Sequence, residues 1–173
     1  MVDNIDLCGY ENPTPVQAYT IPAVLQSRDV IAVAQTGKWL LAETHNITDI
    51  FLGSGKTAAY LIPSISKLMG KVKKLAARRP NLANGFNPDI DTVRAEPLIL
   101  VVAPTRELCC QIFDESRRLC YRSMLRPCVA YGGGPVREQR EELAKGCDIL
   151  VATPGRLIDF MSQPNVLSLC RVR

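Results

Sequence analysis

Val30-Ile31-Ala32-Val33-Ala34-Gln35-Thr36-Gly37 and, after an interruption, Ser54-Gly55-Lys56-Thr57 are the two halves of the stretch that decides the fold. Val30–Ala34 is an unbroken apolar run of strand length, and Gln35-Thr36-Gly37 supplies a turn directly after it. Ser54-Gly55-Lys56-Thr57 opens a helical pattern. Glycines at such a strand-to-helix turn let backbone N–H groups close around phosphates, a lysine offsets the outer phosphate charge, and a threonine hydroxyl takes a Mg²⁺ position. As written the chain fails the usual spacing, because Ile50 stands six residues before Lys56 where glycine is required. Removing Lys38–Gly53 fuses the halves into Ala34-Gln35-Thr36-Gly37-Ser54-Gly55-Lys56-Thr57, which brings Gly37 next to Ser54-Gly55 and puts Ala34 at the position six before Lys56.

Outward from this stretch, apolar runs alternate with helical patterns. Strands are predicted at Val30–Ala34, Leu98–Ala103, Cys128–Tyr131 and Ile149–Ala152. Their Val, Ile and Leu content without polar alternation predicts burial on both faces. Helices are predicted at Pro15–Leu25, Lys56–Leu75, Glu107–Arg122, Val136–Ala144 and Pro154–Met161. The expected fold class is α/β, a parallel sheet with helices on both faces. Thr14-Pro15-Val16-Gln17 spells a capping box with proline at the first helical position, and Thr153-Pro154 repeats the start signal after a strand. Pro80–Pro97, with Asn81, Asn84, Gly85, Asn87 and Pro88, reads as a long flexible surface loop. The basic run Lys71, Lys73, Lys74, Arg78 and Arg79 is either an RNA-binding patch or the solvated end of a helix.

Composition narrows the class. At 173 residues, 47% apolar and 22% charged, the chain has room for one domain with a core. A net charge of +4 permits a polyanionic partner without requiring one. The 7 cysteines form no C-x-x-C pair and lie near no histidine cluster, so they read as reduced intracellular thiols rather than metal ligands. Apolar runs such as Leu98–Ala103 are too short to span a bilayer, and no membrane partner is expected.

Five stretches in order resemble the DEAD-box ATP-dependent RNA helicases. The fused phosphate loop resembles their motif I. Gly9-Tyr10-Glu11-Asn12-Pro13-Thr14-Pro15-Val16-Gln17 resembles the Q motif, and Pro104-Thr105-Arg106-Glu107-Leu108 resembles motif Ia. Gly132-Gly133 is similar to the paired-glycine motif, and Thr153-Pro154-Gly155-Arg156 to motif Ib. Gln111–Glu115 and Gly146-Cys147-Asp148 resemble the Ded/Vasa-like subgroup of cytoplasmic and germline helicases. The likeness covers the chain apart from Lys38–Gly53. It implies a RecA-like P-loop NTPase domain over residues 1–173, with the insert at 38–53 splitting motif I and a loop at 80–97. It implies ATP and Mg²⁺ as cofactors, RNA as partner, a monomer, and a cytoplasmic or nuclear location.

Residue roles follow from the resemblance. Lys56 and Thr57 would serve the phosphates, with Thr57 at the Mg²⁺ position, in a cofactor site shared with Ala34, Gln35, Thr36, Gly37, Ser54 and Gly55. Gln17 would pair with the adenine edge through its amide, an alternative to the capping box that does not exclude it. Tyr10 would pack beside the base or serve as a core aromatic. Pro104, Thr105, Arg106, Gly133, Thr153, Pro154, Gly155 and Arg156 would hold the RNA backbone without reading sequence. For Thr105 and Glu107, shaping the loop is the open alternative. Trp39 and His45 fall in the insert and carry no expected catalytic role.

Two departures from the family pattern bear on activity. The chain stops at Val172-Arg173, where the family runs on into the strand bearing Asp-Glu-Ala-Asp and later into a second RecA-like domain. The domain is therefore expected to be incomplete at its C-terminus and inactive alone, which keeps a non-catalytic RNA- or partner-binding fragment as the alternative. The insert costs the fold little, since lengthening a loop from about 4 to about 20 residues adds roughly 1.4 kcal/mol. Its damage falls on phosphate binding, because Gly37 and Ser54 are no longer neighbours. A retained intron and a true insert both account for the segment.

Overall fold

The computed structural model describes residues 1–34, 55–75, 77–80, 87 and 93–172. The chain divides into two compact units, Met1–Lys67 and Leu68–Arg173.

In the first unit, α1 (Val2–Leu7) leads through a turn to α2 (Pro15–Leu25), and α3 (Lys56–Met69) begins directly after Gly55. The start and end of α2 fall where the capping box and apolar pattern place them. Its second proline, Pro22, lies inside the helix without ending it. Helix α3 buries Ala58, Leu61, Ile62 and Ile65, the i, i+3, i+4, i+7 stripe that its sequence writes. The helix expected to reach Leu75 ends at Met69. Gly70 interrupts it, as a residue that costs about 1 kcal/mol in a helix interior can, and a single short turn, α4 (Val72–Leu75), follows.

Residues 30–34 form no strand, contrary to the sequence reading. Ile31 is 96% exposed and Val33 91%. An apolar run states a preference for burial, but a strand exists only where a neighbour completes its ladder, and among the described residues none does. The segment 35–54 lies outside the described residues.

The second unit is built on a parallel sheet of β1 (Ile99–Val102), β2 (Pro127–Ala130) and β3 (Ile149–Ala152) in the order β1-β3-β2. Ile99 and Pro127 both pair with Ile149, and the registers run on to Ala152. Helices α5 (Arg106–Leu119), α6 (Val136–Ala144) and α7 (Pro154–Met161) follow the strands in turn, giving the expected parallel α/β arrangement. Helix α5 stops at Leu119, short of the expected Arg122, which turns into the left-handed region at φ +53°. Only β3 is buried along its whole length. Strand β1 is half-buried with Val102 exposed, and β2 alternates, because among the described residues each has a strand neighbour, β3, on one side only.

Leu150 and Ala152 of β3 join Cys128 and Ala130 of β2, Leu143 of α6, and Leu157 and Phe160 of α7 in one core cluster. Strand alternation turns Ile149 and Val151 to the other face, where they too are fully buried, and α5 packs on β2 and β3. Asp148 ties the lower end of this sheet. Its carboxylate accepts from the N–H groups of Ala77 (2.7 Å) and Arg126 (2.8 Å) and from the guanidinium of Arg79 (3.0 Å). Arg79 is therefore a fold contact rather than a member of a free basic patch. Of the expected loop 80–97, residues 81–86 and 88–92 lie outside the described set, but its end is anchored. Ala95 is fully buried, bridges in parallel to Leu167, and exchanges backbone bonds with Val166 and Ser168.

Candidate functional site

Within the first unit, the starts of α2 and α3 meet. Thr14 caps α2, and the Gln17 side-chain oxygen accepts from the Thr14 N–H at 2.9 Å, closing the capping box. The same amide turns its Nε2 to the Gly55 carbonyl at 3.2 Å. Gln17 is 3% exposed, so both halves of the amide are spent inside the protein. Gly55 has φ +72°, and a Cβ there would lie 2.5 Å from Gln17 Nε2 and 2.8 Å from Thr14 Oγ1. Only glycine fits this close approach with that backbone.

Lys56, the first residue of α3, reaches back to donate to the Ala34 carbonyl at 3.0 Å. Thr57 hydrogen-bonds the Tyr60 phenol, whose pKa burial raises while that bond opposes the rise. Tyr10 follows Gly9, at φ +76°, and its N–H donates to the Ile5 carbonyl at 3.3 Å. Ala34, Gln17, Gly55 and Lys56 are therefore joined by hydrogen bonds. Gln35, Thr36, Gly37 and Ser54 fall outside the described residues.

The second unit gathers the remaining residues on one rim. In a parallel sheet all strands deliver their C-terminal ends to the same edge, and the residues that follow β1, β2 and β3, into the first turns of α5 and α7, are 103–106, 131–134 and 153–156. Pro104, Thr105, Arg106, Gly132, Gly133, Pro154 and Gly155 are exposed there. Thr105 does the loop-shaping work foreseen as its alternative, its hydroxyl accepting from the Leu108 N–H at 3.3 Å to cap α5. Arg106 lies over the Tyr131 ring, 4.7 Å from its centroid. Thr153 joins two turns: its N–H donates to Ala130, and its hydroxyl accepts from Gly132 at 3.2 Å. Gly133 adopts φ +76° with open space around it, so the backbone turn and not side-chain packing calls for glycine there.

Arg156 differs from the other rim residues. Its side chain is 10% exposed. It donates to Gln139 Oε1 (3.2 Å) and the Gly134 carbonyl (3.5 Å), pairs with Asp159 at 3.6 Å and lies over the Phe160 ring. Gln139 was not foreseen. Its signal is a polar residue four positions before Leu143, the apolar residue that α6 buries.

The acceptors and donors fit a nucleotide in kind. A lysine at a helix start, a positive-φ glycine and an amide beside it are the groups that would meet one, with the Gly55 backbone packed directly against Gln17 and Thr14. Thr57 carries a hydroxyl of the kind that would hold a Mg²⁺ ion, and it is hydrogen-bonded to Tyr60.

Residues 40–172 match the family described as DEAD/DEAH box helicase. Among solved structures, the chain is similar to the RNA-helicase Prp28 from Chaetomium thermophilum bound to ADP, with 32% identity and a TM-score of 0.68. The match covers 99% of this chain and 33% of that one, so the chain spans about a third of the length of the helicase it resembles.

Proposed function

Because the chain belongs to the DEAD/DEAH box helicase family, we propose that it is the nucleotide-binding part of an ATP-dependent RNA helicase of the Ded/Vasa-like subgroup. In the longer protein, RNA-stimulated ATP hydrolysis would drive duplex unwinding, in the cytoplasm or nucleus. The observation that carries this reading is the Gln17 bond to Gly55, which places the start of α2 against the phosphate-loop end of α3. Lys56 would exchange its Ala34 carbonyl for the outer phosphates, and Thr57 would hold Mg²⁺, which supplies charge neutralisation when bound. The Gln17 amide would offer its pairing groups to adenine only by giving up bonds it now makes, so base binding and loop geometry compete for one side chain. RNA would lie along the rim at 104–106, 132–134 and 153–156, held by its backbone. That rim belongs wholly to the second unit, which favours a second reading, an RNA-binding fragment without catalysis.

Three versions test the proposal: the chain as it stands, the chain without Lys38–Gly53, and that shortened chain extended through both domains of the family. Fluorescent-nucleotide titration should find negligible ATP binding in the first and weak binding in the second. Only the third should release phosphate when RNA is added, and Lys56→Ala there should abolish the release. Tight ATP binding by the chain as it stands would contradict the broken loop, and an inactive third version would favour the fragment reading.

A further inference from the structure

We propose that Gln139, acting with Arg156, is a positioning residue that sets the shape of the rim without itself holding a phosphate. The inference rests on reading that rim as the RNA-binding edge, and it assigns to α6 a role that none of the rim motifs contains.

Strand β2 has a neighbour on one side only among the described residues. At its upper end, the unpaired side of Tyr131 is met by the Gln139 amide. Oε1 accepts from the Tyr131 N–H at 3.0 Å, and Nε2 donates to the Tyr131 carbonyl at 3.2 Å. A side-chain amide has the same donor and acceptor as a peptide, so Gln139 stands where the next strand's peptide group would stand. It ends the ladder and fixes Tyr131, on whose ring Arg106 lies. Gln139 Oε1 also accepts from Arg156, which reaches on to the Gly134 carbonyl. The packing is tight: a Cβ at Gly134 would lie 2.6 Å from the Tyr131 ring and 2.7 Å from Gln139 Nε2.

One amide that is 7% exposed thus fixes the end of β2, the platform under Arg106, the glycine turn, and the arginine of α7. Arg156 is spent in this web, with a nearly buried side chain, whereas Arg106 is exposed. The division of labour is that Arg106 meets the phosphate, while Gln139 and Arg156 hold the surfaces that meet it.

The test measures anisotropy of a labelled single-stranded RNA across a salt series with the full chain and its Arg106→Ala, Arg156→Ala, Gln139→Ala and Gln139→Met variants. Hydrogen exchange is followed in parallel at residues 131–134. A lost phosphate contact flattens the slope of log affinity against log salt by about 0.7 for a single strand. Arg106→Ala should show that flattening. Gln139→Met, which keeps the bulk of the side chain if Gln139→Ala fails to fold, should weaken binding about tenfold with the slope unchanged. It should also speed exchange at 131–134, and adding Arg156→Ala should weaken binding no further. A flattened slope in Arg156→Ala, additive losses in the double variant, or unchanged exchange in Gln139→Met would each overturn the inference. Absence of salt-sensitive RNA binding by the parent chain would instead sink the RNA reading of the rim, and the exchange result would still decide whether Gln139 shapes it.

Discussion

Gly55 and Gly133 have nearly the same backbone, φ +72° and +76°, but opposite surroundings. A side chain at Gly133 meets nothing within 4 Å, whereas one at Gly55 would strike Gln17 and Thr14. Gly133→Ala should therefore cost only the left-handed backbone penalty, about 1 kcal/mol. Gly55→Ala should cost about 2–3 kcal/mol, because it also displaces the buried Gln17 amide. Urea unfolding of the two variants checks this, and equal midpoints would show that the Gln17 contact contributes nothing. The capping bond of Gln17 was legible in Thr14-Pro15-Val16-Gln17, since it depends on neighbours three residues apart. Its second bond, to a residue 38 positions away, leaves no trace in local pattern. Gln139 escaped for the same reason: its partners Tyr131 and Arg156 come from other elements.

At the scale of elements, starts were read better than ends. The starts of α2 and α7 coincide with their Thr-Pro signals, which act within one turn. Ends depend on what the chain does next, so α3 and α5 ran shorter than their apolar patterns suggested. The missing strand at 30–34 is the larger error, because β structure is completed by a partner that the run itself cannot specify. Asp148 shows the same non-locality from the other side. Nothing in Gly146-Cys147-Asp148 announces its role, but it is fully buried and takes donors from Ala77, Arg79 and Arg126. Asp148→Ala would leave two backbone N–H groups without their acceptor and should cost about 3–5 kcal/mol. Asp148→Asn, with one oxygen left, should fall between. Chemical denaturation followed by far-UV circular dichroism measures both, and a parent-like midpoint for Asp148→Ala would refute this account of the sheet's lower end.

For the molecule as a whole, the buried thiols set an alkaline limit. Burial pushes Cys120 from 9.0 up to about 12, with Ser123 opposing and Asp148 adding to the rise. Burial likewise holds Cys147 well above 9.0, reinforced by Cys128. The folded state therefore keeps protons that the unfolded chain releases. The stability this represents is fully present below pH 9.0 and is lost as pH rises toward about 12. The urea midpoint should fall between about pH 8 and about pH 10.5, and a Cys120→Ala/Cys147→Ala variant should show a shallower fall. An identical fall in the variant would place the limit elsewhere. The order β1-β3-β2 carries a consequence for the time course of folding. The central strand is the last of the three to be synthesised, and neither flanking strand pairs with the other. Among the described residues, strand β1 must therefore wait on the ribosome for about fifty further residues before its first strand partner emerges. Until then two apolar strands stand open at once, which makes the growing chain a natural client for chaperones and gives the sheet one moment of assembly rather than several.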